Sequence, residues 1–228
     1  MLENELTIVI SSKSPIGENR LLIDNIVATC EAKVAINYIV NDGSVSLSKV
    51  YSDALKEART NIVIFMHDDI EFLRNKWGAQ ILRMFNEHQD YGIIGIAGSA
   101  EFDENAAWWN YEKIYGQVLH RNEGKSWLTT FSPLLKTDLE EVCVIDGLFM
   151  AVHKQRISKG FDESLDGFNM YDIDFCLNNF LDGKTKIGVT THIRIAHNSI
   201  GEVTENWYLN KIKINDKYGK NYPIRINK

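Results

Sequence analysis

The chain predicts an α/β fold with a mainly parallel central sheet covered by helices on both faces, and three observations carry that expectation. The first 98 residues alternate β-α-β-α-β-α-β, the order that builds parallel sheets. The strand segments are short apolar runs rich in β-branched residues, as strands buried on both faces require. The segments between them space apolar residues at helical intervals. At 228 residues the chain suits one sizeable α/β domain.

Each element follows from its residues. Leu6 to Ile10 reads as a first strand ending in the small polar Ser11 and Ser12. Pro15 and Gly17 lead into a helix with Leu21, Leu22, Asn25, Ile26 and Thr29 on one side. Val34 to Val40 is a second strand, closed by the turn residues Asn41-Asp42-Gly43-Ser44. Leu47, Val50, Tyr51, Ala54, Leu55 and Ala58 then mark one face of a helix. Asn61 to Met66 is a buried strand, followed by a helix turning Trp77, Ile81, Leu82 and Phe85 inward and a short strand from Gly92 to Ala97. The second half is less regular. Ser99 to Lys113 is polar but contains Trp108 and Trp109, and Val118 to Phe131 reads as a hairpin around Asn122-Glu123-Gly124. Val142 to Val152 is apolar apart from Asp146-Gly147; 172–181 reads as a helix, 187–195 as a strand and 202–218 as a final helix. No composition shift marks a boundary, so one domain is expected.

Bulk properties exclude several functions. A formal charge of −6 with no long basic run argues against a nucleic-acid partner. Cys30, Cys143 and Cys176 lie far apart in apolar stretches without metal-ligand spacing, as in a reducing compartment. The N-terminal stretch from Met1 lacks a basic region followed by an apolar segment, and no later run reaches membrane-spanning length. A cytoplasmic protein is expected. Lys211, Lys213, Lys217, Lys220, Arg225 and Lys228 leave room for peripheral association with the inner face of a membrane; the plainer reading is a solvated helix face. Oligomeric state leaves no signature.

The chemistry concentrates where the third strand surfaces, at His67-Asp68-Asp69. Adjacent carboxylates raise one another's pKa, and a hard divalent cation carrying a phosphate relieves the repulsion. Ligands of open α/β sheets sit beyond the carboxyl ends of the strands, where this cluster falls. The competing reading is a solvated acidic turn.

In order, the chain shows a strand, Asn41-Asp42-Gly43-Ser44, a helix, a strand, Asp68-Asp69, then Asp146-Gly147, then Asp172-x-Asp174 on a helix, then His197. This order resembles the large inverting nucleotide-sugar glycosyltransferase family of the family 2 type, with the glycosyltransferase-A fold. Ser46-Leu47-Ser48-Lys49-x-Tyr51 followed by His67-Asp68-Asp69-Ile70 is similar to the signature of its short bacterial glycosyltransferase-like branch. The resemblance runs over roughly residues 5–200, dense at 41–76 and 143–201 and weak at 100–140.

It implies a Rossmann-like three-layer fold, with a nucleotide-binding half at 1–98 and an acceptor-binding half at 99–228. It implies a nucleotide-diphosphate sugar donor, a glycan or glycolipid acceptor, and a role in cell-surface polysaccharide synthesis. Asp42 would accept a hydrogen bond from the base, with Ser11, Ser12, Lys49 and Asp68 near the nucleotide. The alternative for Asp42 is pure turn chemistry. Asp69 matches the metal-binding carboxylate of the family's Asp-x-Asp. His67 stands where Asp is commoner, and His197 sits where relatives place a histidine near metal or diphosphate. Mn²⁺ or Mg²⁺ is the implied cofactor, with imidazole tilting the choice toward Mn²⁺. Asp172 matches the general base, and Asp174, about 200° round the helix, suits a structural role. Asp146 with Gly147 would hold a sugar hydroxyl, or Asp146 is a buried carboxylate satisfied by backbone. Trp108 and Trp109 offer a sugar-stacking platform, or belong to the core. Two rivals accompany this reading. One is a degenerate domain that binds nucleotide or glycan without turnover. The other is a sugar nucleotidyltransferase, disfavoured because Ser12-Lys13-Ser14-Pro15-Ile16-Gly17 lacks a glycine-rich basic phosphate loop.

Overall fold

Residues 5–132, 134–201 and 203–226 are described by the computed structural model; the sequence readings that touch Met1, Pro133, Glu202 and Lys228 lie outside the described residues. The first half follows the expected alternation: β1 (Glu5–Ser12), α1 (Arg20–Thr29), β2 (Lys33–Val40), α2 (Leu47–Glu57), β3 (Ile62–Met66), a short β4 (Ile70–Phe72), α3 (Trp77–Glu87) and β5 (Tyr91–Gly95). The second half holds β6 (Ala97–Ser99), β7 (Glu101–Phe102), β8 (Ile114–Asn122), β9 (Lys125–Thr130), β10 (Glu140–Val142), β11 (Val144–Ile145), β12 (Phe149–His153), α4 (Tyr171–Phe180), β13 (Lys186–Val189), β14 (Ile195–His197), α5 (Glu205–Tyr218) and β15 (Ile224–Arg225).

The main sheet has the order β10-β13-β5-β12-β3-β1-β2. Strands β1, β2, β3, β5 and β13 point one way, as expected, while β12 inserts antiparallel between β3 and β5 and β10 runs antiparallel to β13. Helices cover both faces because β3 alternates. Phe65 meets Tyr51 of α2 at 4.7 Å, and Phe161, beside it, stacks on Phe175 of α4 at 4.3 Å. Met66 pairs with Phe149 on the opposite face, where Phe149 meets Trp77 of α3 edge-on. Gly78 lets α3 approach closely, since a Cβ there would lie 2.1 Å from the Cys30 sulfur.

A second sheet has the order β11-β6-β8-β14-β4, with β9 paired to β8. It explains where the strand readings of the second half split. The 92–97 segment passes from β5 to β6 between sheets, and Gly98 is needed there because a Cβ would lie 2.2 Å from the Val144 carbonyl. The 142–152 run divides at Asp146-Gly147 into β11 of the second sheet and β12 of the first, with its opening residue ending β10. The 187–195 run likewise divides into β13 and β14. The last helix starts at Glu205, where the Thr204 hydroxyl accepts from the Trp207 amide at 3.3 Å.

All three cysteines are buried and unpaired. Among the described residues, no helix is long and apolar enough to cross a membrane. Much of the basic C-terminal group is engaged internally: Lys213 with Asp166, Lys217 with Asp162 and Asp174, and Arg225 with Glu101.

Candidate active site

The site forms where β1 and β3 end and β12 begins. β3 is fully buried to Met66, so the next three residues emerge together at the sheet's carboxyl edge. Strand β4 follows at once and pairs antiparallel with β14, which sets His197 opposite Ile70 and beside Asp69. His197 Nε2 lies 3.3 Å from Asp69 Oδ1 and 3.0 Å from the Ser199 hydroxyl. His67 Nδ1 lies 3.9 Å from the same Asp69 oxygen. Donor atoms of His67, Asp69 and His197 all fall within 4.8 Å of one another. Burial pushes the Asp69 carboxyl up, but the adjacent His197, Ser199 and His67 outweigh it and hold the carboxyl at about 2. Burial lowers the His67 pKa, against the opposing pull of Asp146 and Asp69. Asp69 Oδ1 is buried without a well-aligned hydrogen bond despite the close His197. Two imidazoles and a carboxylate with an orphaned oxygen fit a divalent cation that accepts nitrogen, Mn²⁺ better than Mg²⁺.

Beside this cluster, Asp68 turns toward β1. The Ser12 hydroxyl donates to Asp68 Oδ2. The Asn19 amide donates to the Ser12 hydroxyl at 3.0 Å and to the Tyr38 hydroxyl at 2.7 Å. A cavity of about 540 Å³ adjoins them, lined by Asn19, Leu22, Asp68, Asp69 and Glu71 among others. Ser11 is half-buried and reaches Asn41 at 3.5 Å. Asp42 is exposed and accepts the Ser44 amide at 2.9 Å, and its pKa is lowered by the Ser44 side chain and then by this amide. The turn chemistry is therefore realised at Asp42, whereas the neighbouring Asn41 is the buried member. Lys49 does not join the others. Its ammonium bonds Asp53 one turn along α2 at 2.6 Å and lies 3.4 Å from Glu163, a pairing that the i,i+4 spacing favours.

On the opposite wall, Asp172 stands in the first turn of α4. Its Oδ2 accepts the Gly147 amide at 2.8 Å and its Oδ1 the Ile173 amide at 2.9 Å. Burial, reinforced by the Asp146 charge, raises its pKa to about 7 despite these bonds. Asp146 Oδ1 accepts the Leu148 amide at 2.8 Å, so both candidate roles for Asp146 stay physically available. Asp174 points away into α5, where it is 1% exposed and bonds Lys217 and Tyr218, each at 2.8 Å.

A second cavity of about 410 Å³ joins His67, Asp146, Gly147 and Asp172 to an aromatic rim. The two tryptophans divide the roles weighed for them. Trp108 is 4% exposed against Phe131, while Trp109 is 39% exposed and lies 6.3 Å from the Trp207 ring. Sequence reasoning missed Tyr171, His120, Phe131 and Trp207 here, and Asn19 and Tyr38 beside Asp68. His120 reaches the site only because β8 pairs with β14, which aligns it with His197. Trp207 was detectable only as an apolar residue of the last helix.

A family model described as "Glycosyltransferase like family" matches residues 8–222. No curated protein matches the chain. Solved structures similar to it include GalNAc-T7 with UDP, GalNAc and Mn²⁺, at TM-score 0.64 and 10% identity over 96% of this chain and 49% of that one. The mannosyltransferase PcManGT from Pyrobaculum calidifontis, in complex with GDP-Man and Mn²⁺, matches at TM-score 0.56 and 9% identity over 98% of this chain and 65% of that one. A197 from STIV matches at TM-score 0.51 and 12% identity over 86% of each. At these identities the likeness is one of fold. The chain spans about half the length of the GalNAc-T7 chain.

Proposed function

The chain belongs to the glycosyltransferase-like family, and from that membership we propose that it moves a sugar from a nucleoside-diphosphate sugar to an acceptor hydroxyl with inversion at the anomeric carbon. The observation that carries the proposal is Asp172, a carboxyl held by two amides on the wall of a cavity shared with His67 and raised to about 7. A base with that pKa is half-ionised near neutrality, the best compromise between availability and basicity. Two chains of similar fold are described with UDP or GDP-Man together with Mn²⁺, which supports the donor class and the ion.

In this mechanism the nucleotide lies by Ser11, Ser12, Asp42 and Asp68, in the half up to residue 98. The acceptor occupies the half beyond it, against Asp146, Gly147 and Trp109. Asp69, His197 and His67 would hold Mn²⁺ or Mg²⁺, which when bound neutralises charge on the departing diphosphate. The acceptor oxygen attacks the anomeric carbon while its proton passes to Asp172. The bond from that carbon to the diphosphate oxygen breaks, releasing nucleoside diphosphate and an inverted glycoside. Aromatic faces at Trp109 and Trp207 suit a pyranose, so we assign a glycan or glycolipid acceptor, as in cell-surface polysaccharide synthesis. Three buried unpaired cysteines support a cytoplasmic setting.

The test is sugar transfer across a donor and acceptor panel by wild type, Asp172→Asn and Asp69→Ala, with product configuration read by NMR. Metal-dependent transfer with inversion, lost in both variants, is expected. Retained transfer by Asp69→Ala, or retention of configuration, rejects the mechanism.

A further inference from the structure

Tyr171, which precedes the proposed base, is buried against Tyr51 and Phe161, with ring centroids 5.5 and 6.5 Å away. Among the described residues its hydroxyl has one hydrogen-bond partner, His67 Nε2 at 3.3 Å. The other imidazole nitrogen, Nδ1, is the one that faces Asp69. Gly147 makes this contact sterically feasible, because a Cβ there would sit 2.1 Å from the Tyr171 hydroxyl oxygen. The glycine of Asp146-Gly147 therefore leaves room for the phenol while its amide holds Asp172.

An imidazole offers a cation one nitrogen, and the group bonded to the other decides which one. We infer that Tyr171 is a positioning residue: it accepts the Nε2–H of His67, fixes that tautomer and ring orientation, and leaves the Nδ1 lone pair directed toward Asp69 and His197. The same short segment, Tyr171-Asp172, then sets both the metal-facing imidazole and the base. This inference rests on the metal reading of the proposed function.

The test is Mn²⁺ binding, followed by the EPR signal of free Mn²⁺, together with ¹⁵N NMR of the histidine tautomers in protein loaded with diamagnetic Zn²⁺. Wild type, Tyr171→Phe, Gly147→Ala and His67→Ala are compared. Tyr171→Phe keeps the buried ring, so the fold is retained. Loss of a partner that orients a ligand weakens metal binding about tenfold or more, and that loss is expected for Tyr171→Phe and Gly147→Ala. His67 is expected as the Nε2–H tautomer in wild type and as a mixture in Tyr171→Phe. If wild type binds Mn²⁺, His67→Ala weakens it and Tyr171→Phe does not, the role of Tyr171 is overturned alone. If wild type binds no Mn²⁺, the metal reading fails and this inference falls with it.

Discussion

Replacing Asp172 by Asn should make the protein more stable while removing the proposed base, and the pH dependence of that gain is fixed by the site. The Asp172 carboxyl moves from an ordinary 3.8 to about 7, first through burial and then through the Asp146 charge. At about 1.36 kcal/mol per pKa unit, holding it ionised in the fold costs about 4 kcal/mol. A raised carboxyl makes the folded state bind more protons than the unfolded chain between those two values. Stability is therefore fully present below 3.8 and is lost as pH rises through about 7. Asn is neutral throughout, and its side-chain oxygen can accept the Gly147 amide that Asp172 accepts at 2.8 Å. Urea denaturation of metal-free wild type and Asp172→Asn at about pH 5 and about pH 8 should give an advantage for Asn that widens by about 3 kcal/mol. Sugar transfer by the variant should fall by about 10²–10⁴-fold, and wild-type transfer should decline below about pH 7 as the base protonates. An advantage that is equal at both pH values, or a variant less stable at the higher one, would refute a desolvated carboxyl at this position.

Mn²⁺ at about a hundredfold excess over its Kd should stabilise wild type by about 2.7 kcal/mol, and Asp69→Ala should abolish that thermal shift. Trp108→Ala should cost about 3–5 kcal/mol of stability in denaturation, since the ring is 4% exposed. Trp109→Ala, at a ring 39% exposed on the cavity rim, should raise the acceptor KM while barely moving the urea midpoint. Lys217→Met should cost about 3 kcal/mol, because Asp174 is buried and would keep Tyr218 as its one charge-stabilising side-chain partner. That cost should shrink at low pH, since burial raises the Asp174 pKa and protonation removes the unpaired charge.

The parts of this fold that are legible in sequence are those written in local periodicity. The run from Asn61 to Met66 ends in His67 because a fully buried strand cannot carry charge, so strand and site announce each other. The helix from Leu47 shows its buried face in its spacing, and its Ser46 cap accepts from Lys49 at 3.3 Å. The second half resists the same treatment because its apolar runs serve two sheets. Nothing local to 142–152 says that Asp146-Gly147 sends β11 and β12 to different neighbours. The site is legible in the same proportion. Asp69, His197 and Asp172 have motif neighbours, whereas Tyr171 and His120 become site residues only through contacts spanning 104 residues and through the β8–β14 pairing. Lys49 shows the opposite failure, since a family position suggested nucleotide while its own helix supplied Asp53 one turn away.

Four carboxylates crowd this region, at Asp68, Asp69, Asp146 and Asp172, and their environments separate them. Asp68 receives the Ser12 hydroxyl, and Asp146 the Leu148 amide. Asp69 is held ionised at about 2 by His197, Ser199 and His67, a state suited to a cation. Asp172 has two amides but no cation, and burial, then the Asp146 charge, push it toward the protonated form. The opposite directions in which Asp69 and Asp172 are driven support the proposed division between a cation ligand and a proton acceptor. A cation at Asp69 leaves Asp172 the carboxyl poised to take a proton, because burial and Asp146 have already made protonation favourable near neutrality. The acidity that makes this cluster costly as a bare surface turn is the property that the proposed mechanism uses.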